Sequence, residues 1–107
     1  MLLTTTGRRS GKPRTIVLTY IHTDGPLALI ASNFGSRTLP QWYRNLEAHP
    51  ETTLQLKRKR WSARARPATP DEHARIWSAA LVIWPAWAEY AERAQREIPI
   101  VVMEPTD

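Results

Sequence analysis

The spacing of apolar positions changes several times along the chain, and each change marks an element. Thr15-Ile16-Val17-Leu18-Thr19-Tyr20-Ile21 is rich in β-branched and aromatic residues, Asp24-Gly25-Pro26 supplies turn chemistry, and Leu27-Ala28-Leu29-Ile30-Ala31 is continuously apolar. Together these segments predict a β-hairpin. Leu2-Leu3-Thr4-Thr5 predicts a short strand ahead of it. Thr52 to Leu56 and Arg60 to Ala68 predict a second hairpin, in which Trp61, Ala63 and Ala65 alternate with Ser62, Arg64 and Arg66. One face of that strand should pack and the other should meet water.

Elsewhere the period is helical. Pro40 to Ala48 carries proline near a helix start and apolar residues one turn apart, and His49-Pro50 ends it. Thr69-Pro70-Asp71-Glu72 has the form of a capping box, followed by Ile76, Trp77, Ala80, Leu81 and Trp84 at helical spacing. Pro85 must break or kink that helix. Helical composition resumes from Ala86 to Glu97, and Ile98 to Met103 predicts a last strand. About six strands with two or three helices, hairpins first and a helical pair before the last strand, argue for an α+β fold rather than alternating βαβ units. A closed or nearly closed antiparallel barrel, filling one domain over residues 1–107, hides the strand edges most economically.

Composition narrows the chemistry. With no cysteine, disulfides, thiolate metal sites and cysteine nucleophiles are excluded, and a reducing, cytoplasmic setting is expected. No apolar run approaches the roughly 20 residues of a membrane span, and Met1-Leu2-Leu3 is too short for a signal-peptide core. The net charge of +5 is unevenly placed. Arg8, Arg9, Lys12 and Arg14 precede the first acid, Lys57 to Arg60 with Arg64 and Arg66 form a second basic block, and acids gather toward the C-terminus. The partner is therefore expected to be anionic: nucleic acid, a phospholipid surface, or a phosphorylated or polycarboxylate small molecule.

Three segments are candidates for a site. In Gly7-Arg8-Arg9-Ser10-Gly11-Lys12-Pro13-Arg14 the glycines permit a tight turn while the cations and Ser10 offer donors to an anion. A plain basic turn with solvated arginines accounts for the same residues equally well. Ala31-Ser32-Asn33-Phe34-Gly35-Ser36 leaves an apolar strand and leads into Trp42-Tyr43 and Asn45, so Ser32 could donate to a ring carbonyl and Asn45 to a ligand or to its own helix, although a hairpin exit followed by a helix cap accounts for the segment more simply. Trp84, Trp87 and Tyr90 recur at intervals of three, as a core stripe does or as the wall of a flat-ligand pocket does. His22, His49 and His73 lack metal-ligand spacing, so no metal site is expected. The hard chemistry of such an enzyme would belong to a cofactor.

In this order and spacing, Thr5-Thr6-Gly7-Arg8-Arg9-Ser10-Gly11-Lys12-Pro13-Arg14, Ala31-Ser32, Pro40 with Trp42-Tyr43 and Asn45-Leu46, Tyr90, and Arg96-Glu97-Ile98-Pro99-Ile100-Val101-Val102 resemble the deazaflavin-dependent nitroreductase family. The resemblance runs from Leu2 to Pro105 and implies a split β-barrel of the flavin-mononucleotide-binding type. It implies coenzyme F420 as cofactor and hydride transfer to a small electrophile such as a quinone, enone or nitroaromatic. By the family pattern Arg8, Arg9, Ser10, Lys12 and Arg14 would hold the phosphate and carboxylates. Ala31 and Ser32 would lie against the ring, and Trp42 and Asn45 would flank the cleft. Ser32 and Tyr90 are the expected catalytic residues, and Phe34, Trp84, Trp87 and Tyr90 the expected substrate pocket.

The chain departs from the family at Asn33-Phe34, where a basic or small residue and a glycine are usual, and at Trp84 and Trp87, which are tyrosines in the nitroreductases. Nitroimidazole reduction is put in doubt by those two missing hydroxyls. Relatives carry an N-terminal helical extension ahead of the first motif, so this chain itself gives no ground for peripheral membrane association. A flavin-mononucleotide oxidoreductase is the near alternative. A non-enzymatic basic barrel, binding cofactor or gripping single-stranded nucleic acid through Lys57 to Arg60 and Trp61, is the distant one. A homodimer through an exposed barrel face is a further expectation.

Overall fold

The loop from Gly7 to Lys12 closes the first hairpin. The Gly7 N–H donates to the Lys12 carbonyl and the Gly11 N–H to the Gly7 carbonyl, both at 2.8 Å, with Gly11 at a φ of 72° that favours glycine. In the computed structural model, which describes residues 1–22 and 25–106 except the side chain of Phe34, this loop joins β1 (Leu2–Thr6) to β2 (Pro13–Val17) in antiparallel register from Leu2↔Val17 to Thr6↔Pro13. β3 (Leu27–Ile30) follows, then a single 3₁₀ turn (Asn33–Gly35), α1 (Gln41–Ala48), β4 (Glu51–Leu56), β5 (Lys59–Pro67), α2 (Pro70–Ile83), α3 (Ala86–Ala94) and β6 (Ile100–Pro105).

The six strands form one antiparallel sheet in the order β2-β1-β4-β5-β6-β3. The hairpin expected between residues 15–21 and 27–31 is therefore corrected: β2 pairs with β1, and β3 lies at the other end of the sheet against β6. The tight glycine loop offers β2 a nearer partner than the longer connection to β3, and closing the shorter loop costs less chain entropy. What survives of the expected hairpin is one bridge, in which Ile21 and Ala28 exchange two hydrogen bonds of 2.9 Å. Asp24 of its turn lies outside the described residues. Because Leu18 still bonds to Met1 while Ile21 bonds to Ala28, the segment after β2 links the two ends of the sheet and curls it into a half-barrel.

Two apolar clusters occupy the two faces. Leu3, Leu29, Trp42, Leu46, Leu54 and Met103 fill one, and Ile30, Ile76, Ala80, Trp87, Ile100 and Val102 fill the other beneath α2 and α3. β3 and the first residues of β6 contribute alternately to both, so β3 is buried along its whole length and reads as a continuous apolar run. In β5, Trp61, Ala63 and Ala65 face the core while Ser62 and Arg64 are exposed, as their alternation predicts.

The helix signals hold closely. Thr69 and Glu72 form the capping box, the Glu72 N–H donating to Thr69 Oγ1 at 3.3 Å and the Thr69 N–H to Glu72 Oε1 at 2.9 Å. α2 ends at Ile83, before Pro85. α3 stops at Ala94 rather than Glu97, because Gln95 turns left-handed at φ 50°. β6 starts at Ile100 rather than Ile98, since Pro99 has no N–H for the ladder; its carbonyl instead accepts from the Ala31 N–H at 2.9 Å.

Candidate active site

Asn45, 6% exposed on the inner face of α1, organises the basic loop. Its Oδ1 accepts from the Arg8 backbone N–H at 3.2 Å and from Arg8 Nη1 at 3.1 Å, and its Nδ2 donates to Thr5 Oγ1 at 3.2 Å. Ser10 Oγ accepts from the Lys12 N–H at 3.2 Å, which stiffens the turn. Gly7, Arg8, Arg9, Ser10, Arg14 and Asn45 line a cavity of about 470 Å³. Among the described residues no carboxylate lies within ion-pair distance of Arg8, Arg9, Lys12 or Arg14, so their charge is left for a ligand. Lys12 is exposed and lines neither this cavity nor the next.

Arg8, Arg9, Ile16, Gln41 and Trp42 also border a larger cavity of about 1040 Å³, so the two form one trough. That volume sits at the top of the usual range for ligand clefts, room for a fused-ring cofactor with a second ring system beside it. Residues 16–20 line it, as do Ser32 and Trp42, and the aromatic group Trp84, Trp87 and Tyr90 closes another side. The three rings pack edge-on or tilted, with centroids 5.8 to 6.4 Å apart. Trp87 is both core and wall, 7% exposed, whereas Trp84 at the α2–α3 break is 46% exposed. Trp87 and Tyr90 therefore join the core while bordering the cavity, and Trp84 borders the cavity from its rim.

Ser32 is 5% exposed and lines the trough, yet its hydroxyl makes no hydrogen bond among the described residues. No buried side-chain polar atom among the described residues lacks a partner, so this hydroxyl opens onto the trough and can donate to a ligand there. Ala31, fully buried, lines neither cavity and stands behind Ser32. Phe34 belongs to the 3₁₀ turn, and its side chain lies outside the described residues.

Residue-level reading missed several members of the site. Gln41 and Arg44 reach it from α1, and Tyr20 from the segment after β2. The helical offset of Gln41 and Arg44 from Asn45 was a usable signal; Tyr20 carried none. Arg96 is the most consequential omission. Its guanidinium donates to the carbonyls of Ala31, Ser32, Ser36, Thr38 and Glu97, at 3.0 to 3.3 Å.

Two charge effects lie outside the trough. Tyr43, beside Trp42 but facing a separate cavity with Glu47 and Glu97, has its phenol pushed up by burial and then by those two carboxylates. Arg66 grips Glu72 through two bonds of 2.7 and 2.8 Å and Glu104 through bonds of 3.0 and 2.9 Å. No group of three or more metal-ligating side chains occurs among the described residues, and no described helix is long and apolar enough to cross a membrane.

A half-barrel whose trough runs from arginines with no carboxylate partner among the described residues to a serine hydroxyl and an aromatic wall defines the class of split-barrel oxidoreductases that take a polyanionic ring cofactor. Over residues 1–105 the chain matches the F420H(2)-dependent quinone reductase family, and it belongs to that family. It is 34% identical over 106 residues to the F420H(2)-dependent quinone reductase Rv1261c of Mycobacterium tuberculosis (strain H37Rv), covering 96% of this chain and 71% of that protein. A solved structure described as an F420-H2-dependent reductase (FDR-A) superposes with a TM-score of 0.86 at 35% identity, covering 96% of this chain and 91% of that one. Another, described as a domain-swapped dimer, gives a TM-score of 0.87 at 35% identity over 96% and 78%. The chain is therefore an F420-dependent oxidoreductase.

Proposed function

We propose that this chain reduces quinones to quinols with Arg8, Arg9, Ser10 and Arg14 holding the phosphate and carboxylate tail of F420 and the deazaflavin ring lying in the larger cavity over Ser32. Bound reduced F420 supplies a hydride equivalent; the quinone takes it with one proton and leaves as the quinol. The residues bind, orient and exclude water. Asn45 holds Arg8 in place, Trp42 flanks the ring, and Trp84 and Trp87 give a flat apolar surface against which a quinone stacks. Tyr90, on the same wall, is the proton donor, with Ser32 donating a hydrogen bond to a ring carbonyl. Lys12 adds charge to the loop from outside the trough.

The observation that carries this reading is the Ser32 hydroxyl, which opens onto the trough between the cationic loop and the aromatic wall and makes no hydrogen bond among the described residues. Quinones are favoured over nitroaromatics because Trp84 and Trp87 bring area and no hydroxyl. The test is the oxidation of reduced F420, followed by its absorbance, with a quinone, a nitroaromatic or an enone as acceptor. Turnover with the quinone exceeding that with the other two is expected. Tight F420 binding without quinone turnover would sink the substrate assignment.

We also propose a homodimer. Val17, Val82 and Ile83 are 72%, 84% and 69% exposed, apolar residues that a partner surface would cover. One of the similar solved structures is a domain-swapped dimer. Analytical ultracentrifugation should give twice the chain mass, and Val82→Glu with Ile83→Glu should return the monomer.

A further inference from the structure

The five carbonyl oxygens held by Arg96 face a guanidinium that has no carboxylate partner among the described residues. Two of them matter for what lies on the other side. No cis peptide bond occurs among the described residues, so each peptide plane presents its N–H opposite its C=O. With the Ala31 and Ser32 carbonyls turned to Arg96, the N–H groups of Ser32 and Asn33 point away from it. Ser32 and Asn33 line the trough, and neither of those N–H groups has a partner among the described residues.

The backbone there has the form of an anion-binding concavity. Ser32 is right-handed, at φ −77° and ψ −30°, and Asn33 is left-handed at φ 49°. Consecutive residues of opposite hand make their N–H groups converge. The Ser32 hydroxyl, open to the trough and without a partner among the described residues, is a third donor at the same place. We infer that Ser32 and Asn33 form an oxyanion site for a conjugated ring carbonyl, built from their two N–H groups and the Ser32 hydroxyl and held in shape by Arg96 as a positioning residue. The guanidinium polarises both peptides from behind, so their N–H groups stay aimed before any ligand arrives.

Arginine is required by geometry. Five donors in a planar fork reach five carbonyls on three stretches of chain, whereas the three donors of a lysine ammonium cannot. The same loop also packs against α3 and its C-terminal cap. Arg37 Nη2 donates to Gln95 Oε1 at 2.6 Å, and a Cβ on Gly35 would sit 3.1 Å from Tyr90 Cα. The oxyanion donors and the wall bearing Trp87 and Tyr90 are thereby held as one unit.

The inference rests on the proposed F420 reading and is tested by Arg96→Met and Arg96→Lys, with Ser32→Ala as a second probe of the donors. Infrared spectra of carbonyl-labelled oxidised F420 and of a carbonyl-labelled quinone, each bound alone, should give a lowered carbonyl stretch for the one that occupies the site. Arg96→Met should return that stretch toward its value in water and slow hydride transfer about a hundredfold, leaving tail affinity unchanged. Arg96→Lys should recover only part of the loss. In the free protein, exchange of the Gly35, Ser36 and Thr38 amides, which are bonded within this loop, should rise in Arg96→Met while those of β4 and β5 stay protected. An unshifted carbonyl on both ligands in the wild type, or a Met variant with wild-type rate and frequency, would overturn the site. If all amides lose protection together, Arg96 is merely structural and the inference fails. If the wild type does not bind F420 at all, the reading beneath it fails first, and fluorescence titration distinguishes that case.

Discussion

Asn45 accepts both the backbone N–H and the guanidinium of Arg8 on a single buried amide oxygen, at 3.2 and 3.1 Å. One side chain on α1 thus sets the backbone of the basic loop and the direction of its first cation. Asn45→Ala leaves the Arg8 N–H without its acceptor and should destabilise the fold by about 1–3 kcal/mol, read by urea denaturation. Because the effect on F420 passes through Arg8, Asn45→Ala should weaken coenzyme binding in the wild type and much less in an Arg8→Ala background. Additive losses in that double-mutant cycle would place Asn45 in direct contact with the coenzyme.

Arg9 and Arg14 line the smaller cavity, proposed for the coenzyme tail, with no acidic partner among the described residues. Replacing either by alanine should weaken F420 binding by about 1–3 kcal/mol for each charge-assisted hydrogen bond removed. The effect should shrink as salt is raised, since these are exposed charges. Fluorescence titration across a salt series measures both; an equal effect at every salt concentration would argue that the arginines act through packing.

The aromatic wall separates stability from recognition. Trp87, 7% exposed and part of the core, should cost about 3–5 kcal/mol on truncation to alanine, read as a fall in the denaturation midpoint. Trp84, 46% exposed at the helix break, should cost little stability on the same change but raise the quinone KM. A Trp84→Ala enzyme with unchanged KM for every quinone would remove Trp84 from the substrate surface.

Acid should weaken the fold through Glu72. Its carboxyl is held at about 2, below the ordinary 4.5, by the Arg66 hydrogen bonds and then by the Thr69 backbone N–H, while Arg66 is pushed upward by its hydrogen bonds to Glu72 and then to Glu104. A depressed native value means the stabilisation is complete above pH 4.5 and is lost as the pH falls toward 2. Thermal melts of the wild type should fall through that window, and Glu72→Gln should begin lower and fall less steeply. Parallel curves for the two proteins would show that the network contributes nothing to the pH dependence.

Local signals in the chain were legible where the physics is local. The Thr69–Glu72 capping box, the helix stop before Pro85 and the alternation of Trp61, Ala63 and Ala65 each depend on neighbours within a few residues, and each appears as expected. The family motifs likewise pointed to Arg8, Arg9, Ser10, Arg14, Ser32, Trp42 and Asn45, all of which border the trough. Strand pairing was less legible. Ile16 and Val17 look like one half of a hairpin with residues 27–31, and only the choice of β1 as partner reveals that they are an exposed edge at the mouth of the cavity.

The sequence alone determined the elements, the absence of cysteine chemistry, the cationic loop and the family to which it belongs. Tertiary structure decided which cations stay unneutralised, which aromatic ring is core and which is rim, and what Arg96 does. Arg96 meets Ala31 and Ser32 across 65 and 64 positions of chain, and its five acceptors are backbone carbonyls that every residue type possesses. No pattern of side chains encodes such contacts, because the partner groups are identical at every position and only the folded path of the backbone selects among them.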